Sequence, residues 1–179
     1  MCNFKKQKKM KRTILTFTGL LLGLMGYSQS NSTSTTADSI PCNIETKVDA
    51  YSGKKTIETG FVSFNGGSYL LTKEKGVINF WIQLESSIIL TIDAGEIIYI
   101  KFSDNSVIKF VNTSTDISDY SQYSDKWTNS FSFNLSGIKL EQLKTKKIIG
   151  IKCYINEYTF SESAGENFKN NLNCIIKAK

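Results

Sequence analysis

The chain has 179 residues, 22 Lys and Arg against 16 Asp and Glu, and no histidine. This length suffices for one domain with a buried core. The missing histidine removes Ser-His-Asp and Cys-His nucleophiles, histidine-containing zinc sites and the commonest acid–base group near neutral pH.

Residues 5–30 read KKQKKMKRTILTFTGLLLGLMGYSQS. Six basic side chains, from Lys5 to Arg12, precede an apolar run from Ile14 to Met25, and Gly26 to Ser30 close it with small and polar residues. That order is the signature of a cleaved secretory signal peptide, here residues 1–30. A membrane-spanning helix needs about 20 apolar residues, whereas this run is shorter and interrupted by Thr16, Thr18, Gly19 and Gly23. The expected location is secreted, periplasmic or cell-surface, with no membrane span after cleavage. The charge excess sits in the same stretch. Removing its six basic residues leaves 16 of each sign, and a neutral chain lacks the drive to neutralise phosphates, so no nucleic-acid partner is expected.

Residues 31–41 are rich in Ser and Thr, without apolar periodicity, and read as a linker. Within it, Asp38-Ser39-Ile40 resembles the short acceptor of O-glycosylation in Bacteroidetes-type bacteria. From Cys42 onward, Ile, Val, Phe, Tyr and Thr dominate and turn signals recur every 8–12 residues, the rhythm of an all-β domain. CNIETKVDAY places Ile44, Thr46 and Val48 on one strand face. Asn65-Gly66-Gly67 supplies the positive φ of a tight hairpin. SYLLT, VINFWIQLE, SIILTI, EIIYIKF and SVIKFV come next as successive strands, with Ile98, Ile100 and Phe102 sharing a face. WTNSFSFNL, a short LEQLK helical turn, KKIIGIKCYI and YTFSE complete the series. Lys139, Lys144, Lys146 and Lys147 mark a solvated helix-to-strand junction. Ser163 and Glu166 have capping-box spacing, and Ala164, Phe168, Leu172 and Ile175 form one apolar helical stripe. Short connections make the sheets antiparallel. Residues 42–179 are thus expected as a single, mainly β domain: an antiparallel β-sandwich or open barrel of about ten short strands with one C-terminal amphipathic helix.

Cys42 followed by YSGKK at 51–55, the FSDNSVIKF hairpin, LEQLKTKKIIGIKCYI and the closing Phe168, Leu172, Cys174, Ile175 pattern carry a resemblance. On these motifs the segment from Cys42 to Ile176 resembles a set of uncharacterised secreted proteins of Bacteroidetes-type bacteria. The resemblance implies an exported location and a β-rich fold, with no activity attached.

Cys42, Cys153 and Cys174 remain after cleavage, an odd number for an oxidising compartment. Cys153 alternates with Ile149, Ile151 and Ile155, which makes it a buried thiol. A Cys42–Cys174 bridge would tie both ends of the domain and is preferred to Cys153–Cys174, with three reduced thiols as the third option.

The stretch NTSTDISDYSQYSDKW at 112–127 breaks the hairpin rhythm. Long loops in compact domains are often functional, and here Tyr120, Tyr123 and Trp127 alternate with Asp116, Asp119 and Asp125. Rings among hydroxyls and carboxylates suit sugar or protein contacts, so these three aromatics are the candidate ligand-binding residues; the competing reading is a disordered excursion whose Trp127 simply starts the next strand and enters the core. A calcium site on the three Asp residues lacks the EF-hand order of ligands. Glu85, Asp93, Glu96 and Asp104 fall at strand ends, so no catalytic residue, metal or cofactor is expected. The sequence thus points to an exported, non-enzymatic binding or scaffolding domain, whose partner is a glycan or another envelope component. A barrel-type carrier of an apolar ligand is the alternative, and a glycoside-type enzyme with a carboxylate pair ranks third.

Overall fold

The computed structural model describes residues 42–179. The signal peptide expected at 1–30 and the linker expected at 31–41 lie outside the described residues.

Five strands open the fold: β1 (Glu45–Val48), β2 (Lys55–Glu58), β3 (Val62–Phe64), β4 (Gly67–Glu74) and β5 (Val77–Ser86). Next come β6 (Thr91–Ile92), β7 (Ile97–Phe102), β8 (Val107–Val111), β9 (Asp116–Ile117), β10 (Asp119–Ser121) and the long β11 (Lys126–Leu135). The chain continues through α1 (Gly137–Thr145), β12 (Ile148–Cys153), β13 (Asn156–Thr159) and α2 (Glu162–Lys177). One sheet has the order β1-β2-β4-β5-β11-β10, with β3 also on β4, a second runs β13-β12-β7-β8, and β6 and β9 form a separate pair. All pairings are antiparallel. The sheets keep free edges and do not close into a barrel, so the architecture is a β-sandwich.

Side chains alternate across a strand, so a sheet with one wet face buries every second residue. On β5 the buried set is Ile78, Phe80, Ile82 and Leu84; on β7 it is Ile98, Ile100 and Phe102; on β11, Phe131, Phe133 and Leu135. Phe110 of β8 approaches Phe133 with ring centroids 4.6 Å apart and Phe80 at 6.4 Å, joining the two sheets. Helix α2 contributes Phe168, which packs edge-on against Tyr69 (4.9 Å) and Phe80 (5.2 Å). Full burial of each such side chain contributes about 1.5–3 kcal/mol.

Several local expectations are corrected. The described strands number thirteen rather than about ten, because β3, β6, β9 and β10 are only two or three residues long. The LEQLK turn is a nine-residue helix that buries only Leu143. The C-terminal helix is capped by Ser161, whose Oγ accepts from the Ala164 N–H at 3.2 Å. Ser161 is still extended, whereas Ser163 is already within the first turn, and Glu166 pairs with Lys169. Strand β1 shows no buried face, because it is a sheet edge and only Ile44, before it, is half-buried. On β12 a register shift between Ile148 and Gly150 breaks the alternation. Ile148 therefore enters the core with Ile151 and Cys153, while Ile149 is half-buried and Ile155 lies exposed in a turn. The thiol of Cys153 is unpaired and buried, and burial, then the charges of Glu96 and Asp116, push it up to about 12.

Cys42 and Cys174 form the disulfide, with a Cα–Cα distance of 5.7 Å. Closing so long a loop stabilises by about 5 kcal/mol on the chain-entropy model. Cys42→Ser and Cys174→Ser should therefore lower stability equally, and the double variant no further, as two halves of one interaction behave. Additive losses in chemical denaturation would break the pairing. Gly165 gives a second test. Alanine in a helix interior is normally favoured over glycine by about 1 kcal/mol. Here a Cβ would overlap the Ile148 carbonyl oxygen and stand 2.9 Å from Lys147 Cγ, because α2 lies directly on the start of β12. Gly165→Ala should thus destabilise, by about 1–3 kcal/mol of overpacking; a raised thermal midpoint would contradict this packing.

Candidate functional site

The 112–127 segment is more ordered than its composition suggests. Two of its polar side chains, Asn112 and Ser118, are buried and hold backbone, as does Asn129 just beyond it. Asn112, only 6% exposed, donates through Nδ2 to the carbonyls of Ile92 (3.3 Å) and Asp93 (3.2 Å). Ser118 Oγ accepts from the Leu90 N–H at 2.9 Å, and the Ser118 N–H donates to the Leu90 carbonyl at 3.0 Å. Buried Asn129 donates to Asp116 Oδ2 at 2.7 Å, and the Ser130 N–H reaches the same oxygen at 3.2 Å. Buried polar groups must find partners, and these pair β9 with β6 against the end of β11.

After Ser118, β10 and β11 form a hairpin whose turn spans residues 122–125, with Asp125 at positive φ. The hairpin sets Tyr120 opposite Trp127, edge to face at 5.2 Å and 61°, an arrangement favoured by ring quadrupoles. The Tyr120 hydroxyl donates to Asp125 Oδ1. That bond, and secondarily desolvation, holds the phenol above its ordinary value. Trp127 is half-buried and pairs with Ser86 at the start of β11. Tyr123 stands fully exposed at the tip of the turn. The fold thus brings Tyr120 and Trp127 into contact and leaves Tyr123 apart from them.

Two further segments reach the same end of the sandwich. Ser86 leads into exposed Ile88 and Ile89, and the β12–β13 turn, with exposed Tyr154 and Ile155, is linked to it by Asn156 Nδ2 donating to Ser86 Oγ at 3.5 Å. Exposed Ile117 of β9 lies on the pair with β6. Ile88, Ile89, Tyr154 and Ile155 were hidden inside apparent strands. SIILTI forms only the two-residue β6, and KKIIGIKCYI ends at Cys153, with Tyr154 turning at φ 53°.

The remaining candidates are engaged elsewhere. Glu85 pairs with Lys126 at 3.0 Å. Asp104 pairs with Lys146 at 2.7 Å; hydrogen bonds from Lys146 and Ser106 hold its carboxyl well below the usual range. Asp93 and Glu96 are exposed on the turn before β7. Of the four junction lysines, Lys144, Lys146 and Lys147 are ion-paired, and Lys139 lies 4.6 Å above the Phe110 ring. Among the described residues no three His, Cys, Asp or Glu side chains are placed to hold a metal ion, so Asp116, Asp119 and Asp125 do not converge. Among them, too, no helix is long and apolar enough to cross a membrane.

The hydrogen bond at Tyr120 can be tested by titration. It holds the proton on the phenol, so its contribution to stability is full below the unfolded phenol's pKa and is lost as pH rises through the higher folded value. Asp125→Asn keeps a residue that tolerates positive φ and removes the charged acceptor. The ring-carbon NMR titration of Tyr120 should then move down in pH toward the ordinary value; an unmoved curve would remove the bond.

No family model, curated protein or solved structure matches the chain.

Proposed function

We propose that the chain is an exported, non-enzymatic β-sandwich domain that acts by binding or scaffolding at the cell envelope, with a glycan or another envelope component as its partner. The observation that carries this reading is the end of the sandwich around Tyr120 and Trp127. Three separate segments place exposed apolar side chains there: Ile88 and Ile89, Ile117 to Tyr123, and Tyr154 with Ile155. Isolated exposed apolar residues are ordinary on a protein surface, whereas contiguous groups mark interaction sites. The polar pins beneath, Asn112, Ser118 and Asn129, hold this end in one conformation before any partner arrives, which lowers the entropy lost on binding. Export is supported by the basic-then-apolar opening of the sequence and by the disulfide, a bond that persists in oxidising compartments. A carrier would need a ligand chamber, and the two sheets instead interlock through Phe80, Phe110 and Phe133.

The reading is tested by sedimentation of the purified exported chain with envelope fractions of its host. Tyr120→Ala with Tyr123→Ala should weaken association at least tenfold, since aromatic anchors carry most of such contacts. Tyr123 is fully exposed, so its truncation should change stability by less than about 0.5 kcal/mol, whereas Tyr120→Ala also loses the ring contact with Trp127, about 0.5–1.5 kcal/mol. Trp127 is unsuited as the probe, because it also starts β11 and packs on Tyr120. Undiminished association of the double variant would end the case for this surface.

A further inference from the structure

The outer face of the seven-stranded sheet has a different chemistry from the sandwich end. The registers of β4, β5 and β11 align side chains in rows across three strands, and the central row is Leu70–Trp81–Ser132. Trp81 is 45% exposed in the middle of the sheet. The rows on either side hold only Ser, Thr, Asn and Gln, with Asn79 and Gln83 flanking Trp81 along β5. With strands about 4.8 Å apart and same-face residues about 6.8 Å apart along each strand, the three rows cover about 10 by 14 Å. No charge lies within that area. On its rim Glu74 pairs with Lys54 at 2.8 Å, Glu85 with Lys126 at 3.0 Å, and Glu58 with Lys47, which also meets Glu45 at 3.0 Å, while Asp116 accepts from the Ser130 N–H and Asn129. The outer face of the other sheet contrasts with it, since Tyr99 there is surrounded by Lys101, Lys109 and Lys152.

We propose that the Trp81 face binds neutral polysaccharide chains. The proposal rests on the reading of the chain as an exported binding domain, and it places the glycan on a surface separate from the Tyr120–Trp127 end. An indole offers a broad apolar plane with a negative face, on which the C–H groups of a sugar ring can lie. Amide side chains both donate and accept, and hydroxyls do the same, so the surrounding rows match sugar hydroxyls whichever way these point. Lys139, which shares a groove with Ser132 and Asn134 at the edge of β11, is already placed over the Phe110 ring, and Lys47, Lys54 and Lys126 on the rim are ion-paired, which disfavours an anionic polymer. The cores of protein interfaces are poor in Ser and rich in apolar and Arg side chains, whereas this face is mostly hydroxyl and amide. A charge-free field of hydroxyls and amides around a central indole selects an uncharged, hydroxyl-rich ligand.

The test is affinity electrophoresis of the purified exported chain through gels containing hydroxyethyl cellulose, soluble starch or galactomannan, with alginate as the anionic control. At least one neutral polymer should retard the wild type. Trp81→Ala should weaken that retardation at least tenfold, as should Ser132→Glu, which sets a charge beside the indole at an exposed position. Tyr120→Ala with Tyr123→Ala should leave it unchanged. In a Trp127→Phe background, Trp81 fluorescence should shift to the blue on adding the retarding polymer. Free migration in all three neutral gels would overturn the proposal, as would retardation by alginate alone or retardation that survives both Trp81→Ala and Ser132→Glu. Loss in the tyrosine variant with Trp81→Ala unaffected would move the glycan to the sandwich end, overturning this proposal and sparing the other.

Discussion

Phe80 meets three aromatic rings from three other elements: Phe133 of β11 beside it, Phe110 of β8 in the facing sheet, and Phe168 of α2. Its own exposure is nil. Both sheets and the helix therefore converge on one side chain in the middle of the longest hairpin partner. Strand period then dictates the rest of β5: with Phe80 turned inward, Ile78, Ile82 and Leu84 must be inward too, and Asn79, Trp81 and Gln83 must face out. A one-residue slip would put the indole in the core and four apolar side chains in water. The burial that holds the sandwich together is thus the same constraint that presents Trp81.

The sandwich end obeys a different logic. Strands β6 and β9, two residues each, are too short for their own ladder to hold them. Buried amide and hydroxyl groups supply the missing bonds, to backbone and to the Asp116 carboxylate, and an unmet partner there would cost about 1–3 kcal/mol. The Cys42–Cys174 bond does comparable work for the edge, where β1 buries nothing and would otherwise have little to keep the start of the domain beside α2. Apolar burial fixes the layers, and polar pins and one covalent tie fix the ends.

This division explains what could be read from the sequence. Strands with one wet and one dry face declare themselves by alternation, so β5, β7, β8 and β11 were legible, as was the Phe168–Leu172–Ile175 stripe of α2. The preferred cysteine pair also followed from its position at the two ends of the domain. Elements held by side-chain hydrogen bonds were not legible, because Asn112, Ser118 and Asn129 look like ordinary loop residues until their partners are known. The shift between Ile148 and Gly150 exchanges which isoleucine enters the core, and nothing in a run of IIGI marks it. Of the candidate site, Tyr120 and Trp127 were identified, but Ile88, Ile89, Tyr154 and Ile155 were absorbed into strands that end earlier than their composition suggests. Trp81 stood on the same alternating set as Asn79 and Gln83. Its surface is assembled from β4 and β11 as well, so only the register reveals it.

The two proposed surfaces are joined by a single strand. From Trp81 to Ser86 β5 runs five residues, about 17 Å at strand rise, and Ser86 is where the apolar end begins. The strand is held on both sides by full ladders with β4 and β11, so the spacing between the surfaces is rigid. A glycan on the face and an envelope partner at the end would then be held at a fixed separation without competing for side chains. Engaging one would raise the effective concentration of the other, the route by which two weak contacts give firm attachment. On the two proposals scaffolding and binding would be a single activity, performed by two surfaces of one sandwich: the outer face around Trp81 and the apolar end, which elements of both sheets build.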